Sequence, residues 1–200
     1  IYSATKNRAE ELANELAQVL GDRQQIDTNM QNLFDELEDT VSLSILKRTV
    51  PAGVGFHHGD LTMDERGLVE RLFKAPYMPG KNSLDIVIST PTLSMGVNLP
   101  ADYMLFPTID TFQSKEWIYA GVVPDTLSTL EYRNFAGRAG RFRPNMPKDH
   151  HGIALFLTDL ETEEAERDLV NGLIKGQVDP IESSLHRWPF GLAPLALGAL

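Results

Sequence analysis

Apolar positions repeat along this chain with two periods, and they lay out its elements. Ala9, Leu12, Ala13, Leu16, Val19 and Leu20 recur at three- and four-residue spacing behind Thr5 and Asn7. Either polar residue can cap a helix, and Gly21 after the last apolar position can close it. Ile1 to Ser3, ahead of that helix, reads as a strand stub that begins inside a longer protein. After a polar joint, Ile26, Met30, Leu33, Phe34 and Leu37 predict a second helix, and Leu43 to Leu46 continues the helical region after a break. Pro51 to Gly53 predicts a turn and Val54 to Phe56 a short strand. Thr62-Met63-Asp64-Glu65 is a capping box that opens a helix through Leu68, Val69 and Leu72 to Phe73.

The second half alternates in the same way. Pro76 to Asn82, with two prolines and a glycine, predicts a loop. Leu84 to Ile88 is a mostly apolar, β-branched run that suits a central parallel strand covered on both faces. Tyr103 to Phe106 is another short strand, and Pro107 to Pro124 carries no single pattern. Ser128-Thr129-Leu130-Glu131 is a second capping box, opening a helix that carries Tyr132 to Ala139. Arg143 to Gly152 predicts a loop, Ile153 to Leu157 a last strand, and Leu160 to Lys175 a helix with an acidic start. After Asp179-Pro180 the composition shifts to Leu, Ala, Pro and Gly, so residues 176–200 read as a linker or the start of a following helical domain.

Strands alternating with helices predict an α/β fold with a parallel sheet and helices on both faces. Ligands then meet the loops at the carboxyl ends of the strands. Here those are Ala4–Lys6, His57–Asp60, Ser89–Asn98 and the neighbourhood of Arg138.

Composition narrows the chemistry. With no Cys among 200 residues, a disulfide scaffold, a thiolate metal site and a cysteine nucleophile are excluded. No run of about 18 apolar residues exists, so no membrane partner is expected and a cytoplasmic location fits, or a nuclear one in a eukaryote. Lys and Arg number 18 against 28 Asp and Glu, a net charge of -10 that argues against holding nucleic acid by bulk electrostatics. Phosphate-cradling G-x-x-x-x-G-K-[ST], G-x-S-x-G, H-E-x-x-H and G-x-G-x-x-G are all missing from the sequence. Glu38, Asp39, Glu161, Glu163 and Glu164 read as solvated helical faces.

Gly137-Arg138-Ala139-Gly140-Arg141 is the most informative segment. Glycine lets the backbone turn tightly beside each guanidinium. Arginine holds phosphate oxygens through two parallel bonds and suits developing charge on a transferring phosphoryl group. The same pair also suits an ordinary helix C-terminus, where Arg favours the dipole. Ser89-Thr90 through Gly96-Val97-Asn98 places hydroxyls at a strand end, where they can bind phosphate or simply turn the chain. Adjacent His57 and His58 seldom converge on one ion, so no metal site is expected, and a turn offering backbone N–H groups to phosphate is favoured.

Four segments in order resemble the second RecA-like lobe of superfamily-two helicases, near the superkiller-type and DNA-repair-type relatives. They are Ile1 to Lys6, Gly55 to Leu61, Ser89 to Ala101, and Leu130 to Arg141. The resemblance covers residues 1–175 and implies a RecA-like three-layer domain. It also implies that Thr5, Lys6, Gly59, Asp60 and Thr90 contact the sugar-phosphate backbone of one DNA or RNA strand. Gly96, Asn98 and Asn134 would then lie at the nucleotide, and Arg138 and Arg141 would reach ATP, with Mg²⁺, on a first RecA-like lobe. Where the family usually carries Gln, this chain carries Asn134, one methylene shorter. The alternative is a helicase-like scaffold that binds nucleic acid or protein without catalysis.

Overall fold

The chain's structure is a computed structural model that describes residues 1–74, 82–91, 99–107, 127–140, 151–157 and 163–176. Local chemistry sets where its helices begin. Thr5 accepts a hydrogen bond from the Arg8 N–H at 3.1 Å and caps α1, Lys6–Leu20, which Gly21 closes at a φ of 64°. Asp27 caps α2, Thr28–Glu36, and Thr40 caps α3, Val41–Thr49. A short 3-10 turn, Val50–Ala52, leads into β1, Val54–His57. The capping box before α4, Met63–Lys74, forms in full. Glu65 accepts the Thr62 N–H at 2.7 Å, and Thr62 accepts the Glu65 N–H at 3.2 Å.

The remaining elements are β2, Ile86–Ser89; β3, Tyr103–Phe106; α5, Thr129–Ala136; β4, Ile153–Phe156; and α6, Glu163–Lys175. The Ser128–Glu131 capping box opens α5 as expected. The helix stops at Ala136 rather than reaching Ala139: the Arg138 and Ala139 N–H groups turn to the carbonyls three residues back, of Phe135 and Ala136. Ala139 instead forms a parallel bridge to Ala101. Glu38 and Asp39 are exposed but lie in the link between α2 and α3, not on a helix. The expected loops 76–81 and 143–150, most of 107–124, and the tail after 176 lie outside the described residues.

Among the described residues all the strand pairing is parallel. Val54 to His57 of β1 register against Ile86 to Ser89 of β2, and Tyr103 to Phe106 of β3 against Ile153 to Phe156 of β4. The N-terminal stub lies between the two pairs. The Ile1 nitrogen donates to Val87 O at 2.7 Å, Ser89 N donates to Ile1 O, and Ser3 N donates to Ser89 O, both at 2.8 Å. On the other side Tyr2 N donates to Leu105 O at 2.8 Å.

Two cores result. The first is mostly aliphatic and gathers Ala9, Leu43, Leu46, Leu68, Val69 and Ile88 around Phe34 and Phe56. The second is aromatic. Tyr2, Phe106 and Phe135 are fully buried there, with Tyr2 edge-on to Phe135 at 5.2 Å and Phe106 stacked on Phe156 at 4.8 Å.

Candidate nucleic-acid and nucleotide interface

The loops that leave the carboxyl ends of the N-terminal stub and β1 meet. Thr5 follows the stub and Lys6 opens α1. Gly59 and Asp60 follow β1 and are exposed. The Lys6 ammonium and the Asp60 carboxylate form an ion pair across the two segments. Each group secures the charge of the other. The hydrogen bond to Asp60 raises the Lys6 pKa, and the bond from Lys6 lowers that of Asp60. The Thr5 hydroxyl accepts from Arg8 as a cap, which leaves its own O–H to donate. Four of the five expected strand-contact residues therefore share one exposed corner. Thr90, at the end of β2, is only 6% exposed, and its N–H bonds the His57 carbonyl at 3.2 Å.

The histidines do not belong to a solvent-facing turn. Both imidazoles are buried, and each turns to a different carboxylate: His57 Nε2 lies 3.4 Å from Glu70 and His58 Nε2 lies 3.1 Å from Glu10. Among the described residues no three His, Asp or Glu groups come together in a way that could hold a metal ion. Glu10 escaped the sequence reading, and Glu65 was read only as the cap of α4. Glu10 borders the buried stripe of Ala9 and Ala13 on α1, a position where a carboxylate must find partners. Glu65 is buried and also accepts the Thr40 hydroxyl, tying the cap of α3 to the cap of α4.

The arginine segment is anchored through its backbone. Ala101 N donates to Arg138 O at 3.1 Å, and Gly140 N donates to Ala101 O at 2.8 Å. The end of the Ser89–Ala101 segment and the Leu130–Arg141 segment are thereby stitched together. Gly140 takes a left-handed φ of 71°, and a Cβ there would collide with the backbone of Gly152. A Cβ on Gly152 would collide with Ala139 and Gly140 in return, so two main chains cross at a point only glycine permits. The Arg138 side chain is 4% exposed and helps to line a cavity of about 450 Å³ with Ile1, Ser89, Leu99 and Leu105. Asn134 is exposed on α5. Gly96, Asn98 and Arg141 lie outside the described residues.

Parallel strand pairs, a polar corner at their carboxyl ends and a backbone-anchored arginine segment describe an α/β lobe. The chain matches the helicase conserved C-terminal domain over residues 2–143 and belongs to that family. It is 31% identical over 172 residues to the ATP-dependent DNA helicase Hel308 of Thermoplasma acidophilum, covering 86% of this chain and 22% of the relative. It is 32% identical over 142 residues to the ATP-dependent DNA helicase MER3 of Saccharomyces cerevisiae, covering 71% and 10%. Against DNA polymerase theta of Mus musculus it is 33% identical over 144 residues, covering 72% and 5%. The chain thus spans less than a quarter of the length of each of these relatives. No described helix is long and apolar enough to cross a membrane.

Proposed function

We propose that this chain is the second motor lobe of an ATP-dependent nucleic-acid helicase or translocase. One observation carries the reading: the family match runs to residue 143 and so contains both Arg138 and Arg141. In this reading the N-terminal stub is the central strand of a three-layer RecA-like sheet. Its hydrogen bonds to Ser89 on one side and Leu105 on the other support that placement.

The lobe divides the work between two places. Thr5, Lys6, Gly59, Asp60 and Thr90 hold the sugar-phosphate backbone of one strand, contacts that position a motor without reading sequence. Gly96, Asn98 and Asn134 border the nucleotide. Arg138 and Arg141 stabilise the charge that develops on the γ-phosphoryl group of ATP held by the first lobe. Closure of the two lobes completes that site, and hydrolysis reopens it, so grip on the strand alternates. The Mg²⁺ that accompanies ATP belongs to the first lobe, and no described group here forms a site for it. The acidic net charge of -10 supports division of labour, because this lobe alone lacks the field to grip a strand firmly.

Arg141→Ala in the full-length protein tests the reading. ATP turnover falls by about 10³-fold, the lower bound for loss of an arginine finger. The 200-residue chain alone hydrolyses no ATP. A non-catalytic module of the same fold is the competing reading, and the burial of Arg138 is the observation on its side. Unchanged turnover in Arg141→Ala decides for that module.

A further inference from the structure

Lys6 and Asp60 belong to different elements, α1 and the turn between β1 and α4. Their ion pair is exposed, and an exposed pair holds two elements in register only weakly. A phosphate arriving at Lys6 would also compete with Asp60 for the ammonium. Something else must keep Thr5–Lys6 and Gly59–Asp60 on one strand once that pair opens.

A buried bridge lies directly behind it. His58 is 2% exposed and stacks on Phe56 with ring centroids 5.4 Å apart. Its Nε2 sits 3.1 Å from Glu10 Oε1, and the same oxygen accepts the Ser42 hydroxyl at 2.8 Å. Glu10 is four residues beyond Lys6, on the same face of α1. His58 is two residues before Asp60. The exposed pair and the buried pair are therefore two rungs between the same two segments, and Ser42 ties the inner rung to α3. Salt and an incoming phosphate weaken the outer rung far more than the inner one.

We propose that Glu10 and His58 are positioning residues for the strand grip: they hold α1 against the β1–α4 turn while Lys6 exchanges Asp60 for a phosphate. The proposal rests on the reading of Lys6 as a backbone contact.

A double-mutant cycle in the full-length protein tests it, with affinity for a fluorescent single-stranded oligothymidylate measured across a salt series. Lys6→Ala weakens binding about tenfold and lowers the salt slope by about one, the signature of a lost phosphate contact. Glu10→Ala weakens binding about fivefold while the KM for ATP holds, and adds less than about twofold on top of Lys6→Ala. Glu10→Gln retains most of the affinity, because its carboxamide oxygen still accepts from Ser42. Fully additive losses from Glu10→Ala and Lys6→Ala overturn the proposal, as does a Glu10→Ala protein that binds normally. Should Glu10→Ala fail to fold, His58→Asn gives the same cycle, with the same non-additivity expected and additivity again fatal. If Lys6→Ala changes neither affinity nor salt slope, the backbone-contact reading falls and the positioning role falls with it. That outcome is distinct from additivity, in which Lys6 matters and Glu10 acts elsewhere.

Discussion

β1 and β2 bury nearly every side chain they carry, whereas β3 buries only alternate ones and β4 alternates exposed with half-buried ones. Val54, Phe56 and Ile88 are wholly enclosed by a mostly aliphatic core to which α1, α3 and α4 contribute. Met104 and Phe106 face the aromatic core under α5, while Tyr103, Ile153 and Leu155 on the other face remain exposed. The corner of Lys6 and Asp60, proposed above to grip a strand, lies where the N-terminal stub and β1 of the covered pair end. The arginine segment is carried by the half-covered pair, held less by side-chain packing than by a backbone crossing. Apolar burial stabilises in proportion to area removed from water, so the same substitution should cost very different amounts in the two regions.

The largest contrast is expected at the glycines. Gly140→Ala places a Cβ against the Gly152 backbone at a left-handed φ, and main chain cannot swing aside. We expect a loss of about 4 kcal/mol, from strain and clash together, with the aromatic core lost first. Gly55→Ala, on the covered side, meets only the terminal Leu84 Cδ1 at 2.6 Å. A side-chain end can move, so the loss there is about 1 kcal/mol, the low end for overpacking. Denaturant unfolding of both variants measures the gap, and equal losses would remove the backbone crossing as the anchor of the arginine segment.

A second contrast uses matched isoleucines. Ile88→Ala in β2 empties a fully buried site and costs about 3 kcal/mol. Ile153→Ala in β4 starts from a side chain already 45% exposed, and costs less than about 1 kcal/mol. The difference in unfolding midpoint is the readout. A large loss at Ile153 would mean that its face is covered after all, and the two strand pairs would be alike.

What could be read from the sequence follows the same division between local and distant causes. Thr5, Thr62 and Ser128 announced their helices because a cap needs only residues within one turn. Gly21 did the same at a C-terminus. The short apolar runs from Val54, Leu84, Tyr103 and Ile153 marked strands, yet their order in the sheet rests on partners dozens of residues away. Ile1 to Ser3 read as a strand stub, but its place between β2 and β3 could not be found from those three residues. The end of α5 was missed because Arg138 and Ala139 are good helix formers, and the bonds that pair them with Ala101 come from a distant segment. The site was legible as motifs and not as geometry. Lys6 and Asp60 were named separately, but their pairing depends on where α1 lies on the sheet. His57 and His58 looked like a polar turn because nothing local says that Glu10 and Glu70 will be waiting inside.

The smallest expected effect concerns that buried histidine chemistry, and it sharpens the comparison by probing the covered side alone. Burial pushes the His57 imidazole below its ordinary value of 6.5, against the opposing hydrogen bond and charge of Glu70, while Arg66 and His58 push it further down. The folded chain therefore keeps His57 neutral at pH values where the unfolded chain has begun to protonate it. Between 6.5 and the folded value the unfolded state binds more protons at this imidazole, so the His57 contribution to stability falls as pH drops through that window and is constant above it. Unfolding midpoints measured from about pH 7.5 down to about pH 5.5, above the range where ordinary carboxylates titrate, should show this decline. His57→Gln has no proton to gain there, so its profile should be flatter over the same range. An equally steep decline in His57→Gln would place the pH sensitivity elsewhere, first at the Ile1 ammonium, which donates to Val87 O and which burial lowers from 8.0 to about 5.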